Sequence, residues 1–400
     1  MKKFISIFNE LSKIIEFQKE KIYLITLSIS LLTMLLSNTI LVEDSIYAFA
    51  NLLYFILKIV RYLTYLIFMI LILLDLNSNK SNRLIVTILL ICGILTTLFS
   101  RDFQYFSYLI IVVASINIDK NKIFKHYLFV QSLVLLTMLL LSSTGVVKNI
   151  IYDLGTRNRN FLGFSWTTTP AMLMTFITII YFYLYYETVN FVEVVLFFTI
   201  NLMMFQLTNS KFIFLLTSLF LLCILFVKKV EKIKSLILDN CFFKCIILLI
   251  PFLACMISIL LQIFYNPNIK IMNALNVILS NRMDLGHQAI LKYGLTLFGK
   301  NIEWIGFSLD YNPVNDVYNY VDSSYMQIML TYGVITIILV IIAYSLIMYK
   351  AINEKDIILV LIISFICVLS ITEPRLINII YNPFIIIISQ FLNNREVKLK

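Results

Sequence analysis

Residues 245–264 read CIILLIPFLACMISILLQIF, without a single charge, and the chain then turns polar from 265 to 321. An uncharged apolar run of that length matches a membrane span, which needs about 20 apolar residues to cross the hydrocarbon core. The polar stretch carries Arg282, His287, Glu303 and Asp310, and it ends in Val321-Asp322-Ser323-Ser324-Tyr325, where the next apolar run begins. A membrane protein that keeps one large charged loop on one side of the bilayer is expected to act there.

The same alternation recurs along the whole chain. Of its 400 residues 60% are hydrophobic and 14% charged, more apolar surface than a soluble protein of this size can bury. The apolar runs lie at 22–42, 46–74, 84–99, 103–118, 126–143, 166–186, 191–207, 211–227, 245–264, 322–349, 357–372 and 376–391. The chain thus divides into spans with short loops (1–264), a large loop (265–321), and closing spans with a tail (322–400). The fold expected is an all-α polytopic membrane protein of about twelve transmembrane helices. No cleavable signal peptide is expected, because the first residues are mixed and charged rather than a short apolar core.

Lysine and arginine set the direction. Lys2, Lys3, Lys13, Lys19 and Lys21 precede the first run, and an inside amino terminus puts Lys80, Lys120, Lys122, Lys125, Lys228, Lys229, Lys350, Lys355 and the carboxy-terminal tail inside too. The formal charge of +10 therefore reads as an orientation signal, and nucleic acid is not an expected partner. The cations left outside include Arg101, Arg157, Arg159, Lys211, Arg282 and Arg375, with Arg61 inside the second run. Arginine is planar, permanently charged and suited to gripping phosphate with two parallel hydrogen bonds. A ring of arginines at the outer face suits a lipid-linked diphosphate; pairing with Asp153, Asp284, Glu373 or lipid headgroups would explain them equally one by one. Arg61 and Lys58 either face a cavity or mark the end of a shorter helix.

Other chemistries find little footing. No cysteine falls in an outer loop, and Cys241 and Cys245 have no histidine nearby, so neither disulfides nor a metal site is expected. Nine glycines form no phosphate-binding fingerprint, so no nucleotide or other cofactor is expected. An enzyme here would draw on an already activated substrate, as lipid-linked sugar diphosphates are.

Four segments carry a resemblance. They are Arg157-Asn158-Arg159-Asn160-Phe161-Leu162-Gly163-Phe164; Thr208-Asn209-Ser210-Lys211; Asn281-Arg282-Met283-Asp284-Leu285-Gly286 followed by Tyr293-Gly294-Leu295-Thr296-Leu297-Phe298-Gly299; and Glu373-Pro374-Arg375 with Tyr381-Asn382-Pro383-Phe384. Together they resemble the Wzy-type polysaccharide polymerases of bacterial capsule, exopolysaccharide and O-antigen assembly. Lys211 stands where relatives usually carry arginine, which keeps the charge but loses the fork, and His287 maps onto no family role. O-antigen ligases look related in fold; Asp322-Ser323-Ser324-Tyr325-Met326-Gln327-Ile328-Met329-Leu330-Thr331-Tyr332-Gly333 is similar to their loop-to-span segment, with Asp322 in the histidine place.

The resemblance implies a GT-C-like fold in the bacterial cytoplasmic membrane, with both termini cytoplasmic. It implies a donor chain on polyprenyl diphosphate and a lipid-linked repeat unit as acceptor. Arg157, Arg159, Lys211, Arg282 and Arg375 would bind substrate, with Tyr325 at the loop; Arg61 from below and His287 in the loop are expected beside them on their charge and position alone, not on the resemblance. Asp322 would accept the acceptor's proton; alternatively Asp322 and Ser323 only cap the following helix. Tyr311, Tyr318, Tyr320, Tyr325 and Trp304 suit sugar stacking or the membrane interface. A chain-length regulator and a flippase are the implied protein partners. Ligation, or transport of the same lipid-linked sugars, is the alternative, though transporters often show matched broken helices in two halves. A phosphatase reporter that works only outside the cytoplasm should be active when fused after Lys300 and inactive after Val230; the reverse pattern would invert the orientation.

Overall fold

A computed structural model describes residues 2–43, 46–78, 83–153, 158–229, 238–309 and 317–392. The described residues are mostly helical. In chain order they form α1 (Lys2–Leu36), α2 (Ala50–Ser78), α3 (Arg83–Ser100), α4 (Gln104–Ala114), α5 (Lys120–Ser143), the hairpin of β1 (Ile151–Asp153) and β2 (Asn158–Asn160), α6 (Thr169–Tyr185), α7 (Phe191–Thr208) and α8 (Lys211–Lys229). There follow α9 (Cys241–Ile263), α10 (Lys270–Ile278), α11 (Arg282–Tyr293), α12 (Ser324–Thr331), α13 (Val334–Asn353), α14 (Ile357–Leu369) and a 3₁₀ helix, Phe384–Leu392.

Local chemistry sets the boundaries. Asn190 and Glu193 cap each other's backbone at the start of α7, and Asp119, Asn240 and Asp356 accept from backbone N–H groups at the starts of α5, α9 and α14. Asn209, in a left-handed conformation, ends α7 and turns the chain directly into α8.

Among the described residues seven helices are long and apolar enough to cross a membrane: α2, α3, α5, α7, α8, α9 and α13. Their outward faces carry bare Leu52, Phe55, Leu98, Val192 and Leu215, a surface that lipid covers and water would not tolerate. The inner members are α6 and α14, shorter and buried on nearly every face. A helix apolar all round belongs in an interior.

The twelve crossings expected from sequence are not all matched by helices of crossing length. The run at 322–349 is two helices, α12 and α13, broken at Gly333. The run at 376–391 holds no α-helix; its ordered part is the nine-residue 3₁₀ helix. Its end, Leu392, shares a small cleft with Asp75 and Arg83 at the far end of α2, while Arg375 lies beside Ser100 and Arg101 at the other end of the bundle. The segment therefore runs the depth of the bundle, with Phe384, Ile387 and Leu392 buried. Irregular backbone at that depth is tolerated only where protein encloses it.

Two glycines explain the break between α12 and α13. Gly333 has φ +92°, and a Cβ there would lie 2.3 Å from the Leu297 carbonyl oxygen; one on Gly299, at φ +90°, would lie 2.1 Å from that of Thr331. This backbone-to-backbone approach is closed by Lys300 N donating to Thr331 O (3.1 Å), Val334 N to Thr296 O (2.9 Å) and Ile335 N to Leu297 O (3.1 Å). The large loop is thereby stitched to the start of α13. Gly333→Ala should cost about 1–3 kcal/mol from the left-handed backbone alone, plus the clash, and lower the unfolding midpoint of the purified chain. An unchanged midpoint would show that the stitch is not needed.

Candidate functional site

The turn from α10 into α11 is built to present Arg282. Ser280 and Asn281 both adopt left-handed φ, +56° and +65°, which swings the chain around. The buried Asn276 side chain then accepts from Met283 N and Asp284 N, both at 3.1 Å, capping α11 from the preceding helix. Arg282 emerges with its guanidinium over the Phe212 ring, 5.4 Å from the centroid.

Ser324 assembles the opposite wall. Its hydroxyl donates to Glu373 O (2.6 Å) and accepts from Leu376 N (3.1 Å), while its N–H donates to Ser370 O (2.9 Å). This locks the turn at Glu373-Pro374-Arg375 against the start of α12, beside Asp322. Ser323 accepts from Met326 N and is the N-cap of α12. The cap thus falls to Ser323, and Asp322 points elsewhere.

Arg282 closes the two walls. Its Nε lies 3.2 Å from Asp322 Oδ2 and its Nη2 3.4 Å from Glu373 Oε1, with the Glu373 side chain 6% exposed. The Nε contact is an ion pair without hydrogen-bond alignment, since that buried Nε has no hydrogen-bond partner among the described residues. The trio faces a cavity of about 890 Å³ that Arg159, Lys211 and Arg375 also line. Four cations, Arg159, Lys211, Arg282 and Arg375, thus meet three carboxylates, Asp284, Asp322 and Glu373. A diphosphate would find donors there and a carboxylate at hand for a proton. Where the lining turns apolar, Leu215, Val277 and Ile278 are exposed.

Burial pushes the Glu373 carboxyl up from 4.5 to about 7; Arg282 offsets part of that rise, and the Asp322 charge adds to it.

The structure gathers Arg159, Lys211, Arg282, Asp322 and Arg375 around this cavity. Arg159 Nε donates to Thr208 O at 3.1 Å, tying β2 to the α7–α8 turn. Arg157 lies outside the described residues, as does Tyr311. The other expected binding residues are elsewhere. His287 Nδ1 is 3.1 Å from Gln262 O and 3.2 Å from Ile263 O, fastening α11 to α9 rather than lining the cavity. Tyr325 is fully buried and donates to Cys367 O at 2.8 Å, joining α12 to α14. Arg61 donates to Ser37 Oγ at 3.1 Å and lines neither large cavity; α2 is continuous through it, so it marks no helix end. These three sit where packing and hydrogen bonding account for them.

Glu373 is what sequence reading undervalued. From sequence it has a place only as an arginine's partner and within the Glu373-Pro374-Arg375 segment, although an acid directly after the apolar run 357–372 is itself a signal. Trp166, the first residue of an apolar run, gives no sequence signal of its own; it shares the cavity wall with Tyr320, the ring centroids 5.2 Å apart.

No family model matches the chain, and no match was found among curated proteins or solved structures.

Because Glu373 binds its proton more tightly when folded, the folded chain keeps a proton that the unfolded chain has lost between about pH 4.5 and about 7. The stability this adds is fully present below about pH 4.5 and is lost as pH rises through about 7. The unfolding midpoint should therefore fall across that window, and Glu373→Gln should flatten the fall. An equal slope in the variant would remove Glu373 from the account.

Proposed function

We propose that this chain is a glycosyltransferase that polymerises lipid diphosphate-linked oligosaccharide repeat units at the outer face of a bacterial cytoplasmic membrane. The observation that carries the reading is the Arg282 bridge between Asp322 and Glu373, set in a cation-lined cavity with an exposed apolar rim. Such a site matches both ends of the donor. Arg159, Arg282, Arg375 and Lys211 take the diphosphate, and Leu215, Val277 and Ile278 border the path of its isoprenoid tail.

In the transfer, an acceptor hydroxyl oxygen bonds to the donor's anomeric carbon from the face opposite the diphosphate. The carbon–oxygen bond to the diphosphate breaks, its electron pair staying on the departing oxygen, where the guanidinium groups stabilise it. Asp322 takes the hydroxyl proton, and the anomeric centre inverts. The resemblance to Wzy-type polymerases supports the choice of polymerisation, and a chain-length regulator and a flippase would work beside it. No metal or cofactor enters this scheme.

The reading is tested in cells lacking this gene, complemented with stably inserted variants. Arg282→Ala and Asp322→Asn should each cut polymer by about 100-fold or more, leaving single repeat units, while His287→Ala should keep long chains. Repeat units trapped on the inner leaflet would instead make the protein a flippase. Polymer of normal length in both site variants would remove the assigned roles.

A further inference from the structure

A second cavity, of about 600 Å³, adjoins the first and shares with it the wall formed by Trp166, Tyr320, Pro374 and Arg375. Its volume falls in the usual range of small-molecule sites, about 300–1,000 Å³. Its chemistry differs from its neighbour's. Arg101 and Arg375 face Asp102 and Glu303, so the charges balance, whereas the first cavity has cations in excess. Neutral amide side chains, Asn38, Gln104, Asn301, Gln327 and Asn378, supply donors and acceptors together. Aromatic rings stand among them, including Trp166, Trp304 and Tyr320. That pairing suits a polyhydroxyl ligand, whose hydroxyls both give and accept hydrogen bonds and whose C–H faces lie flat on rings.

The polar lining is held in place. Asp102 accepts from Tyr332 OH at 2.7 Å and from Gln104 N at 2.8 Å. Gln104 Nε2 donates to Tyr108 OH at 2.6 Å, and Tyr108 OH donates to Asn378 Oδ1 at 3.1 Å. Trp304 Nε1 donates to Thr331 Oγ1 at 2.9 Å, which sets its ring. Such a network orients polar groups before a ligand arrives. One donor is left over: Arg375 Nε is buried with no hydrogen-bond partner among the described residues, on the wall common to both cavities. A buried guanidinium N–H without a partner is costly and calls for an acceptor.

We propose that this second cavity is the subsite for the acceptor's saccharide, with Arg375 reaching the junction between the acceptor sugar and the donor diphosphate. The assignment rests on the transfer reading above and names where its second substrate lies. Asp102 and Tyr332 act here as positioning residues for the sugar, Trp166 and Trp304 as its stacking surfaces.

The chain offers its own reporter. It has two tryptophans, Trp166 and Trp304, and both line this cavity. The probe is the oligosaccharide released by mild acid from the lipid carrier of cells lacking this gene, titrated into the full-length protein in lipid nanodiscs. Tryptophan fluorescence should change saturably with the wild type. The midpoint should rise about 10-fold or more in Asp102→Asn and in Tyr332→Phe, variants whose folding is checked by unfolding midpoint. Lys270→Ala, at the exposed start of α10 and in neither cavity, should bind as the wild type does, and inorganic pyrophosphate should not displace the sugar. A wild-type chain that polymerises in cells but shows no saturable response overturns the subsite and leaves the transfer reading standing. So does a saturable response that pyrophosphate abolishes and that Asp102→Asn and Tyr332→Phe leave unchanged. A response with the expected variant pattern, in a chain that makes no polymer, keeps the saccharide cavity and discards the transfer reading alone.

Discussion

Arg282, within the large loop, bridges Asp322 at the end of that loop and Glu373 in the turn after α14. Taking charges out of water costs several kcal/mol per ion, and only close pairing repays it; removing one partner from such a pair costs about 3–5 kcal/mol. The bridge therefore constrains much of the architecture around it. The α10–α11 turn must adopt two left-handed residues, the start of α12 must leave its cap to Ser323, and Ser324 must hold the Glu373 turn in place. The arrangement that satisfies these demands also leaves a cation-lined cavity facing a carboxylate.

The scaffold serves the same end by opposite means. Lipid-facing helices such as α2, α3 and α7 leave much of their apolar surface bare, since the bilayer solvates it. The inner layer of α6, α14 and the 3₁₀ segment is shorter and enclosed. Its ends fall where the cavities are, so loops can converge on one another within the protein's outline. The stitch of Gly299 and Gly333 then fixes the returning loop against the bundle, with Trp304 and Tyr332 on the second cavity's wall close by.

Several of the site residues could be read from sequence because each broke a local rule. Arg159, Lys211, Arg282 and Arg375 are cations beside apolar runs and away from the main lysine clusters, and Asp322 stands just before an apolar run. The same rule misled at Arg61, where an in-run charge is satisfied by Ser37 of the neighbouring helix end. His287 and Tyr325 were singled out by position in the loop, yet their polar atoms meet backbone carbonyls of α9 and α14. Glu373 was under-read because its importance lies in a burial that composition does not display. The second cavity was illegible: Asp102, Trp166, Trp304 and Asn378 are scattered along the chain and share no spacing.

By itself, the sequence determined that this is a mostly helical chain with several membrane-crossing segments, because hydrophobic length and charge placement are local properties that the bilayer reads directly. It did not determine that the run at 322–349 breaks or that the final segment forms a 3₁₀ helix. Those outcomes depend on what encloses the backbone. Only the tertiary structure decided which charges meet, because ion pairing depends on angstrom distances between segments far apart in sequence. Arg282 and Glu373 are such a pair, and nothing in either segment alone specifies the 3.4 Å between them.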